Sequence, residues 1–294
     1  MSGYAPVRAS VRGGELRGAV WEPAGEARAT VLAVHGITSS HLAWRWLADA
    51  LPDVRIIAPD LRGRGGSREL PGPWGMAQHA EDCLVLLDEV GAGPVVALGH
   101  SMGAFAVGAL TALAPERITG VVFIDGGLPL PQPEGVDPAD VPAALIGPAA
   151  ARLSAVYASP EEYRGFWRAH PAFAGVDDPR LDAYADYDLR GSAPELRPTG
   201  RVEAVAQDSL ELQDEDPILA RLRGLPAIPF LRAERGLLDE VPPLYPEPRL
   251  DRWMRELPAL EVHRIADVNH YTILMSDDGV RALLPVITRA IDPR

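Results

Sequence analysis

The sequence predicts an α/β protein with a mostly parallel central sheet flanked by helices. Three observations carry that expectation. Short apolar runs recur along the chain: Thr30–Val34, Val54–Ala58, Pro94–Leu98, Ile118–Ile124, Ile228–Leu231 and Leu260–Ile265. Their length and β-branched content suit strands buried on both faces. Helical stretches separate them at Leu42–Leu51, Met76–Val90, Ala104–Ala114, Pro248–Leu257 and Asp277–Ile291. Alternation of this kind implies crossover connections, which join parallel strands. Finally, Gly99-His100-Ser101-Met102-Gly103 lies between an apolar run and an Ala-rich helical stretch. A serine on a strand-turn-helix apex is the context of a nucleophile elbow.

In chain order, Val7–Arg12 and Glu15–Trp21 alternate around Gly13-Gly14 and read as a hairpin. The strand at Thr30–Val34 runs into His35-Gly36. Asp60–Ser67 is glycine-rich but does not open a helix after a strand in the dinucleotide spacing, so it reads as a structural turn. After Ile124 the alternation breaks. From Leu128 to about Leu225 no strand is expected. That stretch starts Pro-rich (Pro129, Pro131, Pro133, Pro138, Pro142) and continues with helical pieces at Ala144–Tyr157 and Glu161–His170. It reads as a helical insertion lying over the sheet. The expected division is a core of 1–127 and 226–294 and a cap of 128–225, which a chain of 294 residues accommodates.

Composition narrows the function. The net charge of −13 and the absence of any basic stripe argue against a nucleic-acid partner. No apolar stretch reaches membrane-span length, and Met1–Ser10 lacks the apolar core of a secretory leader, so a cytoplasmic location is expected. Cys83 is the single cysteine, which excludes an intramolecular disulfide. No metal-ligand cluster and no phosphate-cradling loop stands out, and neither metal nor cofactor is expected. The oligomeric state is not written in the sequence; a homodimer is left open.

Ser101 is the candidate nucleophile, and a serine hydroxyl needs an adjacent base. Of the histidines, His270 follows the last expected strand, at the sheet edge where parallel strands all end. That placement lets it reach Ser101. His35 and His100 flank the site and are expected to shape it. His41, His79, His170 and His263 have no such placement and read as structural.

Taken together, His35-Gly36 after a strand, the Asp60–Ser67 loop, the elbow at Ser101, the insertion after Ile124 and a histidine loop before the last helix are specific. Over nearly its whole length the chain resembles capped α/β-hydrolase-fold proteins of the serine hydrolase, esterase- or lipase-like type. The resemblance implies an α/β-hydrolase fold with its helical cap inserted after the sixth strand. It also implies an oxyanion hole from the backbone N–H groups of Ile37 and Met102. The acid that orients His270 stays open between two residues. In most relatives it follows the strand that here is Ile228–Leu231, yet Gly236 falls about where it should stand, with Asp239 three residues on. A subgroup of haloalkane dehalogenases on this fold resembles the segment, glycine included. There the acid moves to the end of the strand after the elbow helix, which here is Asp125. Asp125 is the preferred acid and Asp239 the alternative.

Dehalogenases and epoxide hydrolases of this fold use an aspartate nucleophile. Serine at 101 implies an acyl-enzyme instead, and hence a small-molecule ester, thioester, lactone or activated amide substrate. Hydrolysis of a carboxylic ester or lactone is the leading expectation. C–C bond cleavage or lyase chemistry on the same residues, and ligand binding without catalysis, are the alternatives. The insertion concentrates Tyr157, Tyr163, Phe166, Trp167, Phe173, Tyr184 and Tyr187. Such aromatics either line an apolar pocket or pack the insertion onto the sheet. His35, His100, Tyr163 and Trp167 are the expected pocket residues.

Overall fold

The structure, a computed structural model, describes residues 3–131, 136–137, 140 and 148–292. The hairpin forms with longer arms than the alternation suggests. β1 (Gly3–Val11) and β2 (Gly14–Glu22) pair antiparallel with Gly3 opposite Glu22. β2 then pairs antiparallel with β4 (Arg55–Pro59). From β4 onward the sheet is parallel, through β3 (Thr30–Val34), β5 (Val95–His100), β6 (Ile118–Ile124), β9 (Ile228–Ala233) and β10 (Leu260–Ile265). The eight-stranded order is β1-β2-β4-β3-β5-β6-β9-β10. The chain leaves β3 on one side for β4 and crosses back to its other side for β5. Strand order therefore reverses between β3 and β5, and a crevice opens there at the carboxyl ends.

Each inner strand feeds two cores. Leu32 and Val34 of β3, with Ala97 of β5, face one layer, which includes Met76, Cys83 and Leu87 of the Met76–Glu89 helix. Val31, Ala33 and Leu98 face the other, which includes Leu47, Leu283 and Ile287 from the Arg45–Ala50 and Asp277–Ile291 helices. Burial on both faces is why these strands read as unbroken apolar runs. The Met102–Leu113 helix is nearly all apolar because it lies deep against the sheet, with Met102 to Thr111 all buried.

Between β6 and β9 lie helices Pro148–Ser154, Pro160–Ala169, Pro179–Tyr187, Val202–Glu211 and Glu215–Leu222. Local chemistry starts them. Ser159 Oγ accepts the Glu162 N–H and Asp178 accepts the Arg180 N–H, each with proline in the first turn. The insertion also contains strands, against the expectation. β7 (Leu189–Ser192) and β8 (Glu195–Pro198) form a two-stranded antiparallel ribbon. Four residues per strand, largely exposed in β7, are too few to display a period of two. Pro133, Pro138 and Pro142, and residues 144–147 of the expected Ala144–Tyr157 helix, lie outside the described residues.

Two buried charge clusters tie these layers together. Asp60 accepts the His41 and Gly66 N–H groups and the Tyr187 hydroxyl, and lies 2.9 Å from His41 Nδ1. Burial pushes its carboxyl up, but the opposing pull of His41, His35 and the Tyr187 hydroxyl wins and lowers its pKa to about 2. Arg62 makes a forked contact with Asp82, both bonds at 2.8 Å.

Candidate active site

Ser101 stands where β5 ends and the Met102–Leu113 helix begins, at φ 53 and ψ −126. Non-glycine residues rarely hold this backbone, so the surroundings must impose it. They do so by close approach. The Ser101 N–H donates to Ile124 O at 2.9 Å. A Cβ on Gly103 would lie 2.0 Å from Val34 O, and one on Gly126 2.1 Å from Ser101 O. Neither position has room for a side chain. The turn holds the Ser101 side chain at the cavity wall.

His270 follows β10 in a loop and is buried, with Nδ1 2.7 Å from Asp125 Oδ2. Asp125 follows β6 directly at φ 45 and is fully buried. Its N–H donates to Leu231 O at 2.8 Å, and its Oδ1 accepts the Ala233 N–H at 3.1 Å. The end of β9 thus holds the carboxylate so that its other oxygen faces His270. Asp239 is placed differently: its Oδ1 accepts from Arg235 at 2.6 Å and from Asn269 at 2.9 Å. At Gly236 a Cβ would lie 2.1 Å from Glu240 Oε1. Gly236 instead offers its carbonyl to the His270 N–H at 3.3 Å.

His100 and His35 are both neutral, and for the same reason. Burial disfavours the charged ring, lowering His100 to about 3 and His35 to about 4. His100 Nε2–H donates to His270 O at 2.8 Å, which props the loop that carries His270. His35 Nδ1–H donates to Gly36 O at 2.7 Å, and its Nε2 accepts the Leu61 N–H at 2.9 Å.

Ser101, His270, His100, Gly36 and Ile37 share one cavity with Thr38, Ser39, Leu130, Leu212, Leu237, Leu244, Tyr271 and Met275. It encloses about 50 Å³ and its wall is mostly apolar. A Cβ on Gly36 would lie 3.1 Å from Ser101 Cβ, so the loop after β3 presses against the serine. Ile37 follows in that loop. Met102 opens its helix, so its N–H has no intrahelical acceptor. A roomier hollow, about 250 Å³, opens at the amino ends of β6 and β9, away from Ser101 and His270.

Three expected pocket residues do not line this cavity. His35 is fully buried behind Gly36 with both ring nitrogens satisfied. Tyr163 is fully buried and its hydroxyl donates to Asp188, beside Arg152. Trp167 packs edge-on against Tyr184 and Phe173 with the Arg152 guanidinium 5.0 Å over its ring. Both aromatics serve the packing of the insertion. Tyr271, Leu130 and Leu212 line the cavity and carried no signal in the sequence. Neither did Asn269, whose Oδ1 accepts the Tyr271 and Thr272 N–H groups while its Nδ2 donates to Ala172 O. Only its place next to His270 could have drawn notice.

The comparisons with known proteins agree with the fold. Residues 29–156 match a family model described as alpha/beta hydrolase fold. Nearly the whole chain superposes on solved structures. E-2-(acetamidomethylene)succinate hydrolase matches with a TM-score of 0.78 at 21% identity, covering 97% of this chain and all of that one. A thermophilic esterase from Thermogutta terrifontis matches with a TM-score of 0.68 at 19% identity, covering 98% of this chain and all of the esterase. The chain has the α/β-hydrolase fold. In sequence it is similar to lipase LipV of Mycobacterium tuberculosis, 36% identical over 167 residues. That match covers 57% of this chain and 59% of the lipase. Among the described residues, no group of three or more His, Cys, Asp or Glu is arranged to hold a metal. Among them, too, no helix is long and apolar enough to cross a membrane.

Proposed function

We propose that this protein is a serine hydrolase that cleaves a small carboxylic ester or lactone through an acyl-enzyme. The observation that carries the reading is the convergence of strained Ser101 and the His270–Asp125 pair on one apolar cavity. In this reading His270 Nε2 accepts the Ser101 proton as Oγ attacks the substrate carbonyl. Asp125 holds the ring in the Nδ1–H tautomer and stabilises its charged form. The N–H groups of Ile37 and Met102 receive the oxyanion. As the tetrahedral intermediate collapses, His270 returns the proton to the departing alkoxide, and an acyl-Ser101 ester remains. Water, deprotonated by His270, then attacks that ester and releases the acid and the serine.

The segment 128–225 serves as the cap, since it supplies Leu130 and Leu212 to the cavity wall. An apolar wall and limited volume favour a short, uncharged acyl group. The test is hydrolysis of p-nitrophenyl esters of increasing chain length by wild type and Ser101→Ala. Turnover by wild type, lost in the variant and greatest on short acyl chains, is the expected result. Failure of a fluorophosphonate to label Ser101, together with no turnover, would overturn the reading.

A further inference from the structure

We propose that Arg64 is a positioning residue for the oxyanion site, set in place by Asp208 of the inserted segment. The proposal rests on the hydrolase reading above. The Asp60–Ser67 loop reads in sequence as a turn, yet its Arg64 side chain is fully buried. Arginine is seldom buried completely unless its charge is matched. Nε donates to Ile37 O at 2.9 Å, and one terminal nitrogen lies 3.9 Å from Met102 Sδ. One planar group therefore touches both residues whose amides are assigned to the oxyanion. The other terminal nitrogen donates to Arg62 O at 2.9 Å and pairs with Asp208 Oδ2 at 2.6 Å.

Asp208 lies on the Val202–Glu211 helix and is itself fully buried. Its Oδ1 accepts the Gly75 N–H at 2.7 Å, and its Oδ2 lies 3.0 Å from His79 Nε2. Burial pushes its carboxyl up, but Arg64 and His79 outweigh that and hold its pKa at about 2, so it is charged. The contact chain from the insertion to the oxyanion loop is thus continuous.

A buried ion pair of this kind is a weak way to stabilise a fold, since apolar residues of equal volume often do as well. Its geometry suits another role. The guanidinium pins the carbonyl of the residue that presents one oxyanion amide, and Asp208 holds the guanidinium in place. Small displacements of oxyanion donors are costly.

The test compares wild type, Arg64→Lys and the double variant Arg64→Gln/Asp208→Asn. The double variant removes both charges, so no lone buried charge is left to prevent folding. Turnover of a p-nitrophenyl ester is normalised to sites titrated by fluorophosphonate. Inhibition by an alkyl boronic acid, which forms a tetrahedral adduct on serine, is measured beside it. The expected result is a fall in kcat of roughly 10- to 100-fold, a parallel rise in the boronate inhibition constant and KM within about twofold of wild type. A purely structural pair would lower the melting temperature and leave turnover per titrated site unchanged. That outcome, in either variant, overturns the proposal. Wild type that neither turns over nor labels would instead overturn the hydrolase reading beneath it.

Discussion

His270 Nδ1 stands 2.7 Å from Asp125, while the Asp239 carboxylate is engaged by Arg235 and Asn269. The two carboxylates differ in strand of origin as well as in partner. Asp125 directly follows β6 and is fully buried; the Asp239 side chain, beyond β9, is 40% exposed. A buried carboxylate on the imidazole can hold one tautomer, and an exposed one hydrogen-bonded to its neighbours cannot.

Replacing Asp125 by Asn is expected to lower kcat by about 10⁴, the cost of the wrong tautomer in a serine triad. Asp239→Asn loses a surface pair with Arg235, and its effect on kcat stays within about tenfold. Steady-state kinetics on variants with native circular dichroism decides between them. A greater loss in Asp239→Asn refutes the assignment.

The elbow has no room for a methyl group at Gly103, where it would meet Val34 O at 2.0 Å. Relief requires the helix to move off β3. Gly103→Ala should cost about 3 kcal/mol or more, whereas Gly93→Ala, with open space around it, should stay within about 0.5 kcal/mol. Urea denaturation of both variants measures the contrast.

Acid should weaken the fold in a defined window. Asp60 and Asp208 have folded pKa values of about 2, below the ordinary 3.8. Between those values the unfolded chain binds more protons, so stability falls as pH falls. The contribution is complete above about pH 4 and is lost on approaching pH 2, at on the order of 2 kcal/mol for each group. Denaturant melts at pH 5.5 and pH 3 should show a smaller difference in Asp60→Asn than in wild type. An equal difference would remove Asp60 from the account.

Leu212 stands at the carboxyl end of the Val202–Glu211 helix and borders the cavity. Truncation to Ala lengthens the space available to an acyl chain. Relative kcat/KM for longer over shorter p-nitrophenyl esters should rise by about tenfold. An unchanged profile would place the acyl group elsewhere in the cavity.

Much of this is legible in the sequence. The elbow, the strand alternation and the placement of His270 rest on local signals: a glycine pair around a serine, apolar runs of strand length, and the rule that parallel strands end on one edge. Ile118–Ile124 and Asp277–Ile291 match the expected elements residue for residue because their ends carry strong punctuation, with Ser276 capping the last helix. The β7–β8 ribbon escaped because four-residue strands carry no readable period.

What the sequence by itself determined was the fold class and the residues at the ends of neighbouring strands, since topology follows from periodicity and handed crossovers. Only the tertiary structure decided which carboxylate meets His270, which aromatics turn inward to pack, and that Arg64 and Asp208 meet across 144 positions of chain. Those outcomes depend on side-chain direction and long-range burial. An aspartate or a tyrosine reads the same in a sequence whether it faces a cavity, a partner or a core.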